Sequence, residues 1–384
     1  MLKWIWALGN RLARRQAASS TAKTSSRTAI PSLASSAIPS RRPPAHPEKK
    51  STEADATRGA TGALSAGGEK EAHAGFASFA QALGIEIPGD PPPLSFEEER
   101  EDARLAVLVL ERFARARPEP ASFPAIALRI LNLVANPEAE TVELATLVSR
   151  DPALSAGVLS VANSVVFRGL MEIETVRDAA VRLGLAEVGR IAAAVSARTL
   201  FSPRLRAEQA AFGDRWRALF RHAVAVGSAA AAFSLRHPGA RSDRVYLGGL
   251  LHDVGKSLAL RILAGAFVEG RIAAPEAARL ERILDRVHVQ LGGEAHQAWA
   301  LPHYLTEICV RHHDEVVPGD RDLVDLHFVR LTSAVADLGE PAFAARAGRE
   351  IAQSAAALGL DPYQVRALAA EVRQAQERMR AFGN

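Results

Sequence analysis

One cysteine, Cys309, stands in a chain of 384 residues, so no internal disulfide can brace the fold and a reducing cytoplasm is the simplest home. Cys309 itself reads as a small buried hydrophobe on the helix that leads to His312. Long apolar runs are missing as well. The opening stretch Met1 to Arg15 is far too short to span a bilayer, and no apolar core of signal-peptide length is followed by a small-residue cleavage site. Within that stretch Trp4, Ala7, Leu8, Arg11 and Leu12 fall near one helical face, with Trp6 beside it, a pattern suited to an interfacial helix and so to peripheral membrane or partner contact. Alternating runs rich in Val, Ile and Thr are absent, which excludes a substantial sheet. Gly248-Gly249 lacks the spaced glycines and following Lys-Ser/Thr of a phosphate-cradling loop. Two small residues there let helices approach closely.

Hydrophobic residues are also sparse early in the chain. From Ala17 to about Pro93 the composition is Ala, Ser, Thr, Pro, Gly and charge, too polar for a packed face, so residues 1–94 are expected to form a disordered tail. Its charge is one-sided. Residues 1–50 hold ten Lys and Arg against Glu48 alone, a charge of +9, and because the whole chain carries +4 the remainder carries −5. A nucleic-acid-binding domain wears its basic footprint on its folded part, so the mildly acidic body argues against sequence-specific nucleic-acid binding. The tail can still meet anionic surfaces weakly, through contacts that salt would weaken.

What the rest of the chain offers is helix. Ser95 before Phe-Glu-Glu-Glu supplies an N-cap and an acidic first turn, and Pro118 and Pro120 stop that helix. Ile126, Ile130, Leu131 and Val134 give the next an apolar face. Thr141 is expected to cap a third. Asp151-Pro152 and Asp361-Pro362 are helix starts, since Asp accepts amide hydrogen bonds and Pro fits the first helical position. Thr175 with Asp178 has the form of a capping box, and Gly184 marks a stop. Asn163-Ser164 reads as a helix end and turn. Longer helices are expected at about 207–235, 245–264, 275–289, 301–313 and 322–338, and a closing one from Pro362 to Arg380.

Those longer helices carry His222, His252-Asp253, His288, His312-His313 and Asp337. His222 shares a helical face with Leu219 and Val226, and His288 with Leu284 and Leu291, so both point inward. His313 has Cys309 on one side and Val316 and Val317 on the other. Several imidazoles and two carboxylates gathered inside a helical bundle are what a one- or two-metal site requires, with nitrogen and oxygen donors suited to Fe, Mn or Zn. His237, His296, His303 and His327 fall outside this ordered set and read as ordinary core or surface residues.

The stretch from Tyr246 through His252-Asp253-Val-Gly-Lys256 resembles the signature of the HD superfamily of metal-dependent phosphohydrolases. Phe123-Pro124, Asp151-Pro152-Ala-Leu-Ser, Val161-Ala-Asn163-Ser164, Val181-Arg-Leu-Gly184 and Trp299-Ala-Leu-Pro302 before His312-His313 resemble a narrower branch, the HDOD domain. The motifs occur in the expected order from about Phe123 to about Asp337. The resemblance implies an all-α, two-lobed helical domain over 95–384: an N-terminal lobe at about 123–201, an HD-like lobe at about 207–338 and C-terminal helices at 341–384. It implies Asp253 as a bridging metal ligand flanked by His222, His252, His288, His312, His313 and Asp337. In an active hydrolase Asp253 and Lys256 would be the catalytic pair, Lys256 holding a phosphate oxygen. HDOD domains resemble the HD phosphohydrolases in fold, yet they usually look like bacterial signalling or scaffolding modules. This chain also departs from the HD-GYP cyclic-dinucleotide phosphodiesterases. After His313 those carry a glutamate and a Gly-Tyr-Pro motif, whereas this chain reads Asp314-Glu315-Val-Val-Pro318-Gly319-Asp320.

The sequence therefore leads to a regulatory protein that binds a partner protein or small ligand through a domain with an HD-type metal site holding one or two divalent transition-metal ions. The alternative is a metal-dependent phosphohydrolase acting on a nucleotide or cyclic dinucleotide. No receiver, kinase or cyclase domain is expected within these 384 residues.

Overall fold

The computed structural model describes residues 93–116, 125–134, 136, 138–164, 172–315, 323–340 and 342–381. The low-complexity tail, its amphipathic beginning and the segment 316–322 lie outside the described residues. Helices account for the fold, and no strand occurs among the described residues. α1 (Phe96–Ala116) opens at Ser95, whose hydroxyl accepts from the Glu98 amide at 3.3 Å while the Ser95 amide donates to Glu98 Oε2 at 2.9 Å. α2 (Ala125–Val134), α3 (Thr141–Ser149) and α4 (Pro152–Ala162) follow. Asp151 caps α4, its Oδ1 accepting from the Leu154 amide at 3.0 Å. α5 (Val176–Leu183) carries the expected cap, the Asp178 amide donating to Thr175 Oγ1 at 3.0 Å. α6 (Leu185–Ala197) begins directly after Gly184 and runs into a 3-10 turn at Arg198–Phe201.

The second group comprises α7 (Arg206–Ser234), α8 (Ser242–Leu251), α9 (Val254–Val268), α10 (Ala277–Ala298), α11 (His303–Arg311), α12 (Val324–Asp337), α13 (Ala344–Ala357) and α14 (Pro362–Ala381). α7 is the hub: α8, α9, α12 and α14 all pack on it. α2 to α5 gather around α6, which meets α8. The joint is fixed by the Tyr246 hydroxyl, which donates to the Arg190 carbonyl at 2.9 Å. One buried cluster runs from Leu105 through Ile130, Val158 and Val188 to Leu250, Leu284 and Leu305. A second joins Val226 and Phe233 of α7 to Phe328 and Val329 of α12, Ile351 of α13 and Leu368 of α14. α1 packs across α9 and α10. There Asp102, 1% exposed, accepts from Arg279 Nε at 3.0 Å and Arg282 Nε at 2.6 Å. No helix among the described residues is long and apolar enough to cross a membrane.

Four local expectations are corrected. The expected helix over 245–264 is two, because the chain leaves α8 at His252 and re-enters helix at Val254, with Asp253 at φ −103° and ψ 15°. His312 and His313 follow α11, which ends at Arg311. α3 is capped at Glu140, whose backbone is extended, so Thr141 is already helical. α10 runs on past Val289 to Ala298. Its Gly292-Gly293 pair does not end the helix, because the missing side chains make room: a Cβ on Gly293 would lie 2.6 Å from Val310, and Gly292 lies against Cys309 and Gly255. Gly248-Gly249 does what small residues there allow, a Cβ on Gly249 falling 2.6 Å from the Gly227 Cα of α7.

Candidate metal centre

Breaking the helix at His252-Asp253 turns consecutive side chains toward one point between α7, α8, α9, α10 and α12. Asp253 is at the middle of it. Its Oδ2 lies 3.7 Å from His222 Nε2, 3.6 Å from His252 Nε2 and 2.6 Å from Lys256 Nζ. Its Oδ1 lies 3.4 Å from His288 Nε2 and 3.5 Å from His312 Nε2. Asp337, at the end of α12, reaches His222 Nδ1 at 3.8 Å. His313 stacks beside His312, ring centroids 4.0 Å apart. All seven residues singled out in the sequence are thus brought together: six form two sets, His288, His312 and His313 on one side and His222, His252 and Asp253 on the other, with the donor atoms in each set within 4.8 Å of one another, and Asp337 stands beside His222.

The protonation state follows from local geometry. His252, His288 and His312 each set Nδ1 at 2.7 to 2.8 Å from the carbonyl three residues earlier, those of Gly249, Asp285 and Cys309. A carbonyl only accepts, so Nδ1 carries the proton and Nε2 keeps its lone pair, aimed at the centre. Burial pushes His222 down to about 4, and His252 and His288 down to about 3. These three rings are neutral at neutral pH. For Asp253 burial acts upward, but the Lys256 ammonium on its Oδ2 outweighs it and holds the carboxyl well below the usual carboxylate range. Burial pushes Asp337 up to about 6, with Lys256 opposing.

Two features test whether a cation fits. His288 Nε2 and His312 Nε2 face each other at 3.3 Å with a lone pair on each. Asp253 Oδ1, between them, is buried with no hydrogen-bond partner. Two acceptor nitrogens and a bare carboxylate oxygen converging in a dry place lack a positive centre. The three-histidine set therefore fits a divalent ion. On the other side the deficit is already met, since Lys256 lies on Asp253 Oδ2 and Ser333 Oγ bonds His252 Nε2 at 3.1 Å. An ion between His222 and His252 requires Lys256 to swing away. Lys256, read from the sequence as a holder of a phosphate oxygen, is here buried in an ion pair with Asp253.

Sequence reasoning missed the residues that hold these side chains in place. Ser333 of α12 lies between His252 and His222, 3.5 Å from His222 Nε2. Glu350 of α13, 4% exposed, meets His313 Nδ1 with Oε1 at 2.7 Å. Arg346 donates to Asp285 Oδ2 at 2.7 Å and lies 3.7 Å from Glu350 Oε1. Asp285 alone had a signal, its position one helical turn before His288. Of the histidines set aside, His296 and His327 are buried, while His237 accepts from the Gly239 amide. None of the four joins either set of donors.

The family model of the HDOD domain matches residues 121–315. The chain belongs to the HDOD family. Its fold is similar to that of an HDOD domain protein of unknown function from Geobacter sulfurreducens, with a TM-score of 0.52 and 22% identity over 73% of this chain and 97% of that one. It is similar also to a protein from Marinobacter aquaeolei VT8 provisionally assigned to signal transduction, with a TM-score of 0.52 and 19% identity over 81% of this chain and 65% of that one. A protein from Shewanella amazonensis SB2B provisionally named a metal-dependent phosphohydrolase matches with a TM-score of 0.48 and 22% identity over 71% of this chain and 99% of that one. No curated protein matches the chain. In this HDOD chain both donor sets, His222, His252 and Asp253 and His288, His312 and His313, lie within 121–315, whereas Asp337 and Glu350 lie beyond it.

Proposed function

We propose that this HDOD protein is a signalling module whose pocket binds a divalent transition metal, Fe, Mn or Zn, as a structural or sensing site, and whose output is binding to a partner protein or small ligand. The observation that carries this reading is the Asp253 carboxylate, one oxygen paired with Lys256 and the other bare between the Nε2 atoms of His288 and His312. The donors are shut in, the side chains of His252, Asp253, His288 and His312 being no more than 4% exposed. A closed site suits retention of an ion better than exchange of substrate and product. A cytoplasmic home, and weak contact of the basic tail with anionic surfaces, belong to the same proposal.

The second reading, a phosphohydrolase for a nucleotide or cyclic dinucleotide, is favoured by the bridging position of Asp253. Bound ions would supply hydroxide near neutral pH and a clamp for phosphoester oxygens. For that chemistry Lys256 would have to leave Asp253 and turn its ammonium to the substrate. His222, Asp337 and His313, with side chains 18%, 14% and 16% exposed, form the rim on which a substrate would enter.

Elemental analysis of the untagged full chain, reconstituted with Fe, Mn or Zn, tests the reading beside an Asp253→Ala variant. At least one ion per chain, lost in the variant, is the expected result; a wild-type chain that takes up no metal would sink both readings. Turnover of a phosphodiester by the loaded chain, abolished in Asp253→Ala, would put the hydrolase reading first.

A further inference from the structure

The three-histidine set is braced from a helix outside the family match. His288, His312 and His313 come from α10 and the end of α11, and two of the three are oriented by backbone carbonyls of their own chain segments. His313 is different. Its Nδ1 meets no carbonyl three residues back; it meets the carboxylate of Glu350, contributed by α13 at 2.7 Å, and its Nε2 is buried without a partner. Arg346, one turn earlier on α13, bonds the Asp285 carboxylate of α10, whose backbone carbonyl holds His288. One face of α13 thus touches the outer shell of both ligands, and Arg346 lies 3.7 Å from the Glu350 oxygen that His313 uses.

We infer that Glu350 is a positioning residue for the metal centre: by accepting the Nδ1 proton of His313 it leaves Nε2 free and aimed as the third nitrogen donor of the His288, His312 and His313 set. This rests on the metal-binding reading above and deepens it. The physical reason is that a neutral imidazole has one proton to place. Where the chain offers His313 Nδ1 a carboxylate, that nitrogen is the donor, the ring is fixed in plane, and its other nitrogen gains basicity. Without the carboxylate the ring is free to protonate Nε2 and turn away. The set would then have two nitrogens where it had three.

The test uses the full chain at pH 8, so that Glu350 is ionised although burial pushes it up to about 7. Affinity for Zn is read by competition with a chromophoric chelator, in wild type, Glu350→Met and Glu350→Gln. Methionine fills the volume and accepts no proton, whereas glutamine keeps an acceptor oxygen. Loss of such an outer partner costs about 10- to 100-fold in metal affinity, so Glu350→Met is expected to bind its tightest ion that much more weakly, with Glu350→Gln recovering part of the loss. Wild-type affinity in a folded Glu350→Met would overturn the inference. Long-range nitrogen–proton correlation of the imidazoles in the metal-free wild type needs no variant: a proton on His313 Nδ1 is expected, and a proton on Nε2 would overturn the inference even if Glu350→Met failed to fold. Absence of Zn binding in the wild type would instead count against the metal reading itself.

Discussion

Gly255 and Gly265 belong to one helix, α9, yet the same substitution should have opposite consequences at the two. A Cβ on Gly255 would run into the His288 carbonyl and approach the Gly292 amide at 2.8 Å, backbone that cannot step aside, whereas Gly265 has nothing within 4 Å. Gly255→Ala is therefore expected to cost stability at the upper end of the ~1–3 kcal/mol of an overpacked core, and to displace His288 from Asp253. Gly265→Ala should stabilise by roughly 0.5–1 kcal/mol, the helix-interior difference between the two residues. Urea unfolding of the two variants checks the pair. His296 supplies a pH prediction. It is fully buried, and burial pushes it down to about 4, below its value in the unfolded chain of ~6.5. Between these values the unfolded chain holds the extra proton, so stability is full above pH ~6.5 and falls as the pH drops. On its own His296 should remove about 2 kcal/mol between pH 6.5 and pH 5. Urea midpoints of metal-free His296→Gln should show an acid loss smaller by that amount.

Among the elements, α1 is held in a way its neighbours in sequence do not suggest. It precedes the α2–α6 group but packs on α9 and α10, and Asp102 on its buried face takes the guanidinium groups of Arg279 and Arg282. Both arginines keep about a quarter of their side chains in solvent, which softens the loss when the carboxylate is removed. Asp102→Ala should cost ~1.5–3 kcal/mol, the range for hydrogen bonds to charged groups. The consequence should be local: α1 is expected to become the first site of limited proteolysis, with α7 to α14 intact, and a variant as resistant as wild type would contradict this account. Four caps of the elements were legible without the structure, and that of α3, expected at Thr141 but set at Glu140, was not. Ser95, Asp151, Thr175 and Asp361 each accept the amide hydrogen bond that their type and position promise. Helix ends set by contacts were not legible, as α10 shows by running through Gly292-Gly293 where Cys309 and Val310 fill the space.

For the whole molecule, the metal proposal carries a thermodynamic consequence. An ion that binds the folded chain alone raises its stability by RT ln(1 + [L]/Kd), about 4 kcal/mol at a thousandfold excess over Kd. Thermal unfolding of the full chain should therefore shift upward with Zn and fall back with a chelator, and the shift should be absent in Asp253→Ala. It should also shrink in acid, because protons compete for the same Nε2 lone pairs. Equal melting temperatures with and without metal would contradict the reading.

His252-Asp253, His312 and Asp337 were singled out as ligands through the resemblance to the HD signature, whereas His222 and His288 were visible in the sequence itself, because an inward-facing imidazole leaves a mark at three- and four-residue spacing. The all-helical class was visible for the same reason, from periodicity and from the absence of strand-like alternation. What only the tertiary structure decided is how charge is shared at the centre. That Lys256 neutralises one Asp253 oxygen while the other stays bare, that Ser333 lies between two histidines, and that Glu350 of α13 holds His313 all depend on helices distant in sequence packing around α7. Those pairings arise from burial and contact, for which a single sequence carries no local signal.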